Sequence, residues 1–278
     1  MVYSNAKITH SVGTSSVVGT VSIKLNTGNA QINGSIDVAA KGYAAGKGTG
    51  EGTNGSSGGG GGGHGGTGGS GYYAGGISYG SITNPTTLGS GGGSYNDTNY
   101  AYGGRGGGAV KLDIAGTLAV MGSISSNGGN YTNTGFESGG GAGGSIYLIA
   151  NILSGIGSIS SNGGNGRTDG GGGSGGRIAL YYATKTSTGL ITTTGGLGSA
   201  FGASGTLYLK PASQENGDLI IDNNNQSPDS ANGKYGLTPI SSSLVLNTLT
   251  LQNYGNLDVG PSTNISYATL NWATKGVI

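Results

Sequence analysis

General-base chemistry needs a titratable group held in place, and the 278 residues of this chain offer two histidines, eleven Asp and Glu, twelve Lys and Arg, and no cysteine. A Ser/His/Asp arrangement requires a histidine locked beside its nucleophile. His10 lies in a polar opening stretch, and His64 lies within GGGGGGHGGTGG, where glycine neighbours supply no side-chain packing to lock a rotamer. Paired carboxylates for glycoside hydrolysis need a defined separation across a cleft. Glu51, Glu137 and Glu215 are instead spread over apparent loops. AAGKGTG around Lys47 lacks the Ser or Thr that follows the lysine of a phosphate-binding loop, because Gly48 stands there. In GGNGRTDGG, Asp169 falls one place late for the calcium nonapeptide, and no nine-residue period follows.

DNNNQSPDSANG sets oxygen ligands at alternate positions. Asp222, Asn224 and Asp229 make a loose Ca2+ loop one reading of it, and an Asx-rich turn is the other. Tyr72, Tyr73, Tyr79, Tyr95, Tyr100 and Tyr102 lie among glycines. There, amphipathic rings could stack on sugars or on a partner, or pack on their own loop. With no catalytic set to assign, the chain reads as a binding or structural protein that needs no cofactor.

The elements that position these residues come from a unit written between Gly107 and Leu209. Its opening alternates apolar residues in GGAVKLDI, GGSIYLIA, GGRIALYY and SGTLYL, with Val110, Ile146, Ile178 and Leu207 at equivalent places. A period of two predicts a strand. A second apolar anchor follows: Val110 to Ile124 is 14 positions, and Ile146 to Ile159 and Ile178 to Ile191 are each 13. This predicts a second, short strand. The nine residues GSISSNGGN then occur identically at Gly122 to Asn130 and at Gly157 to Asn165, with TTTGG as a degenerate copy. A glycine run closes each unit.

Two-strand units bury their apolar edges only by stacking. The expected fold is therefore all-β: a parallel β-solenoid (β-helix) with a glycine-rich third side and a long Gly/Tyr-rich insertion.

Residues 1–17 are expected to be an N-terminal cap on the stack or a leader-proximal segment. Residues 18–211 carry the repeats, with Val21, Ile23, Leu25 and Ile36 as an early copy and an insertion at about 41–106. The insertion predicts either packed polyproline II-type segments or a mobile loop. Residues 212–278 alternate apolar residues at Leu244/Leu246, Leu249/Leu251 and Leu257/Val259, and read either as tighter rungs of the same stack or as a small β domain. Tyr147, Tyr181 and Tyr208 are expected to form a ladder on the opening strands.

Composition narrows the partners. Glycine accounts for 66 residues, charged residues for 8%, and the formal net charge is +1. Five prolines and no Gly-X-Y period exclude collagen, and regularly spaced aliphatics argue against disorder. Scattered cations argue against nucleic acid, and no apolar run approaches a membrane span. The first twenty residues lack a signal-peptide core, so either a leader is absent from this sequence or the protein is released by another route, and because no polar segment closes the apolar stack at Ile278 the polypeptide is expected to be longer.

The pattern SISSNGG, glycine run, GGGxGGxIxL resembles glycine-rich repeat proteins of bacterial cell surfaces, adhesin-like exported chains with a parallel β-helix; the closing rungs are similar in texture to filamentous-haemagglutinin-type solenoids. Weaker likenesses are to mycobacterial repeats of the GGAGG type and to phage tail-fibre receptor-binding adhesins with polyglycine II bundles. These resemblances imply an extracellular or cell-surface, structural or adhesive role. Surface glycans or other cells would be the partners, with end-to-end self-association into a filament as an alternative. A carbohydrate-active enzyme, similar to the polysaccharide lyases that share the β-helix, is the remaining reading, and it requires Asp, Lys and Arg converging on one face.

Overall fold

A computed structural model describes residues 1–13, 19–94, 102–132, 136–226 and 236–273. Among them there are strands and no helix. The strands are β1 (Lys7–Ile8), β2 (Thr20–Leu25), β3 (Ala30–Ile32), β4 (Ser35–Asp37), β5 (Ala109–Val120), β6 (Ser123–Ser125), β7 (Ser145–Ser154) and β8 (Ser158–Ser160). They continue as β9 (Arg177–Lys185), β10 (Ile191–Thr192), β11 (Thr206–Pro211), β12 (Gly217–Asp222), β13 (Thr238–Ile240), β14 (Leu244–Gln252), β15 (Leu257–Val259) and β16 (Ile265–Trp272).

Each repeat gives its long strand to one sheet and its short strand to another. The larger sheet runs β16-β14-β12-β11-β9-β7-β5-β2, with β3 also on β5; the smaller runs β1-β4-β6-β8-β10. All pairings in both are parallel except β11 with β12. Val21, Val110, Ile146, Ile178 and Leu207 are successive register partners. Ile36, Ile124, Ile159 and Ile191 are the matching row on the short strands. The early copy seen in the sequence is thus laid directly on the later ones, and the aliphatic rows close on each other as a single apolar core.

That core lies on one face of the large sheet, and a second lies on the other. From β9 onward, Ala179, Tyr208, Leu219, Leu249 and Leu251 pack with Ile240 and Leu257 of the small β13-β15 sheet. The antiparallel turn from β11 to β12 marks the change. Residues after 212 therefore extend the same sheet while burying its opposite face, which neither sequence reading of this segment anticipated.

The exact repeat GSISSNGGN acquires a physical reason. The Asn127 Oδ1 accepts from the Asn162 N–H (2.7 Å), and the Asn162 Oδ1 from the Thr194 N–H (2.9 Å). The second asparagine does the same, from Asn130 to Asn165 to Leu197. The Ser126 hydroxyl donates to the Ser161 hydroxyl beneath it. Asn162→Ala strands the Thr194 N–H and is expected to cost about 1–3 kcal/mol. Asn162→Asp keeps the acceptor and should cost clearly less in denaturant melts; equal losses would remove the ladder as the cause.

The glycine runs form neither strands nor loose loops. In segment 137–144, Gly139 and Ala142 donate to the 89–93 segment (Gly93, Ser90), Gly140 and Gly143 to Gly171 and Ser174, and Gly141 and Gly144 to Gly129 and Ser126. Every third residue addresses the same neighbour, which is the three-residue turn of the polyproline II helix. Segment 170–176 repeats this: Gly171 and Ser174 donate to Gly59 and Gly62, Gly172 and Gly175 to Ala200 and Ala203, and Gly173 and Gly176 to Gly164 and Ser161. Segment 58–63 donates toward Glu137 and Gly140, Thr53 and Gly50, and Gly69, while its carbonyls accept from Gly93, Gly76 and Ser174. Each of these interior segments is thus ringed by others.

Such a helix makes no hydrogen bonds within itself, so all its backbone groups are free to bond outward. The insertion at 41–106 supplies several of the segments and is built into the same bundle as the third sides of the repeats, so the described part of it is packed. Glycine is required there by space. A Cβ on Gly60, Gly139 or Gly173 would lie against the carbonyl of Ala74, Gly60 or Gly141, and none of these three has a positive φ.

Candidate functional site

Where the glycine bundle meets the large sheet, a polar knot is buried. The strands β5, β7, β9 and β11 begin with Ala109, Ser145, Arg177 and Thr206 in one register row. Arg177 is 3% exposed. Its Nε donates to the Tyr79 carbonyl (2.8 Å), Nη1 to the Thr206 hydroxyl (3.2 Å) and Nη2 to the His64 carbonyl (3.4 Å). Burial lowers its pKa to about 10, which leaves it cationic at neutral pH.

His64 is fully buried. Its Nδ1 is 2.8 Å from the Gly143 carbonyl and its Nε2 is 2.8 Å from the Thr87 hydroxyl. The carbonyl can only accept, so Nδ1 carries the proton and Nε2 accepts from Thr87. Burial, and then the Arg177 charge, lower the His64 pKa to about 3. The sequence expectation that glycine surroundings leave this ring unlocked is therefore corrected: packed backbone carbonyls and a threonine hold it. Both ring nitrogens of this neutral, buried imidazole are thus occupied, by the Gly143 carbonyl and the Thr87 hydroxyl.

Of the six tyrosines proposed as ligand contacts, Tyr95 and Tyr100 lie outside the described residues. Tyr79 turns inward, its hydroxyl donating to the Leu88 carbonyl (2.5 Å) and meeting Ser90, its ring 4.8 Å from that of His64. Burial pushes its hydroxyl pKa up. Tyr73 covers Gly55, with its hydroxyl near Ser56, and Tyr102 stacks on Phe136 at 4.8 Å. Tyr72 is 75% exposed. The described tyrosines therefore do not converge on one surface, and those that pack hold the bundle's margin.

Asp222 of the candidate calcium loop faces N–H donors. Its Oδ1 accepts from Asn224 (2.7 Å) and Asn253 (3.1 Å), and its Oδ2 from Gln252 (2.7 Å). Asn224 has a φ of 50°, the left-handed conformation that asparagine tolerates in an Asx turn. Asp229 lies outside the described residues, and no cluster of three metal-ligating side chains occurs among the described ones.

Sequence reasoning missed a groove across the stacked strands, of about 450 Å³. It runs over β5, β7, β9 and β11, where Asp113, Asn151, Tyr181, Tyr182 and Lys210 line it. The β5-β7 pairing breaks register between Ile114 and Thr117. At that break the small exposed residues Ala115, Asn151, Ala183 and Ala212 form its floor. Four adjacent strands span roughly 14 Å at about 4.8 Å each, which suits an extended ligand lying across the repeats.

The expected tyrosine ladder stands beside the groove: Tyr147 and Tyr181 meet at 5.5 Å, and Tyr181 and Tyr208 at 6.0 Å. Burial, with Tyr208 and Tyr147 adding, pushes the Tyr181 hydroxyl up to about 12, and it donates to the Thr83 carbonyl. The available signal was the alignment of Asp113, Ile149, Tyr181 and Lys210 at one position of four successive repeats. Comparison with known proteins finds no matching family model, no similar curated protein and no similar solved structure.

Proposed function

We propose that this chain is a parallel β-solenoid that acts as a non-enzymatic, extracellular or cell-surface adhesive scaffold, in keeping with its resemblance to glycine-rich surface adhesins. The groove across β5, β7, β9 and β11 would be its contact face for a linear glycan. The observation that carries this reading is the groove itself, which combines a tyrosine wall, a floor of small residues, and Asp113 and Lys210 as polar ends. Stacked strands repeat one side-chain position at a fixed spacing, and a polymer presents its units in the same way.

Asn151 is exposed on the groove floor, so Asn151→Trp fills the groove without touching the core. Binding to glycan-bearing cells or to a polysaccharide panel is expected to fall at least tenfold in this variant. Unchanged binding would remove the groove as the contact face. Release of unsaturated or reducing ends from a bound polysaccharide would instead favour the lyase-like reading, for which the presence of both an acidic and a basic residue, Asp113 and Lys210, along one groove is the supporting observation. The large sheet ends in β2 and β16, which supports end-to-end assembly as the other alternative, and filaments in electron micrographs of concentrated protein would favour it.

A further inference from the structure

Among the described residues, Arg177 is a buried cation with no carboxylate paired to it. The ion pairs among the described residues lie elsewhere, at Lys7–Asp37, Lys24–Asp113 and Arg167–Glu137. A guanidinium has five N–H donors, and the three neutral acceptors on Arg177 leave two of them unused. A buried charge in this state gains from any anion that can reach it.

Arg177 lines a half-enclosed crevice of about 410 Å³ between residues 80–83 and 239–244, a volume within the range of small-molecule sites. None of its lining residues is acidic. Ser81, Thr83, Ser241, Ser242 and Ser243 line it instead. The Ser81 hydroxyl oxygen already accepts from the Asn84 N–H (3.0 Å), and that of Ser243 from the Asn264 N–H (3.1 Å). The Ser243 O–H is left as a donor, and the Ser81 and Thr83 hydroxyls, 3.5 Å apart, share one hydrogen bond in which either donates, which leaves one of their two protons for a ligand. Ile82, Pro239 and Leu244 supply apolar surface between these groups. Among the described residues the crevice is thus rich in hydroxyl groups, carries one positive charge and holds no anionic side chain.

We propose that this crevice binds an acidic monosaccharide of the uronic-acid class, its carboxylate on Arg177 and its hydroxyls on the serine rim. The site is separate from the groove across β5 to β11 and does not depend on the adhesive reading. Isothermal titration of the intact protein with glucuronate, glucose, acetate and sulfate tests it. Glucuronate is expected to bind and glucose to bind at least tenfold more weakly, because a lost charge-assisted hydrogen bond is worth about that factor or more. Arg177→Gln should also weaken glucuronate binding at least tenfold.

Arg177 braces the knot, so Ser242→Trp is the second variant: Ser242 is exposed on the rim, and filling it should abolish binding with folding intact. No heat with glucuronate, retained binding in folded Ser242→Trp, or acetate or sulfate binding as tightly as glucuronate would each overturn the proposal. A null result here alongside Asn151-dependent adhesion would leave the groove reading standing.

Discussion

Gly173→Ala is expected to destabilise the protein by about 3 kcal/mol or more, the upper range for overpacking a filled interior. The added methyl would meet the backbone of Gly141 and Ala142. Those atoms belong to segment 137–144, which is tied on several sides by its own hydrogen bonds and cannot step aside alone. Two other glycines separate the causes. Gly28 has open space around it but a φ of 86°, so Gly28→Ala should cost about 1–2 kcal/mol through conformation alone. At Gly260 an added Cβ meets its nearest atoms at 3.4 Å and φ is not positive, so Gly260→Ala should stay within about 0.5 kcal/mol. Denaturant melts rank the three. If Gly173→Ala and Gly260→Ala melt together, the bundle is not close-packed.

Stability is expected to fall as the medium is acidified below pH 6.5, with His64 as the cause. Burial, and next the Arg177 charge, place its folded pKa near 3, while in the unfolded chain it titrates near the ordinary histidine value of about 6.5. Between these values the unfolded state binds a proton that the folded state refuses. Stability is therefore complete above about pH 6.5, and it declines toward pH 3 at up to about 1.4 kcal/mol per pH unit. The accumulated loss at pH 3 is about 4 kcal/mol.

His64→Gln retains a donor for the Gly143 carbonyl and an acceptor for Thr87 but cannot titrate. Its stability is expected to be lower than that of the parent at pH 7 and nearly flat from pH 7 to pH 5. Parallel curves for the two proteins over that range would mean that the ring is solvated and the knot open. Protonation of carboxylates lies below this window, so the comparison isolates the imidazole.

The repeating part of the fold was legible because its signals are local and periodic. Alternation in GGAVKLDI and GGSIYLIA marks strands, and the constant step to Ile124 and Ile159 marks the second strand. Register followed from repetition, since identical units bury most when laid over one another; Val110, Ile146 and Ile178 are direct partners. The tyrosine ladder was legible for the same reason. The asparagines of GSISSNGGN were visible as an exact repeat, but their use as amide acceptors between repeats was not.

What the amino-acid order determined by itself is the alternation, the spacing of the short strands and the supply of residues without side chains. The tertiary structure alone decided that the glycine runs and the insertion share one bundle, that the sheet changes its buried face after β11, and that His64 and Arg177, 113 positions apart, meet in one buried knot. The physical reason is that a glycine segment carries no side-chain pattern. Its partners are chosen by backbone hydrogen bonds to segments far away in the chain, and only their assembled positions show which spaces are filled and which remain as groove and crevice.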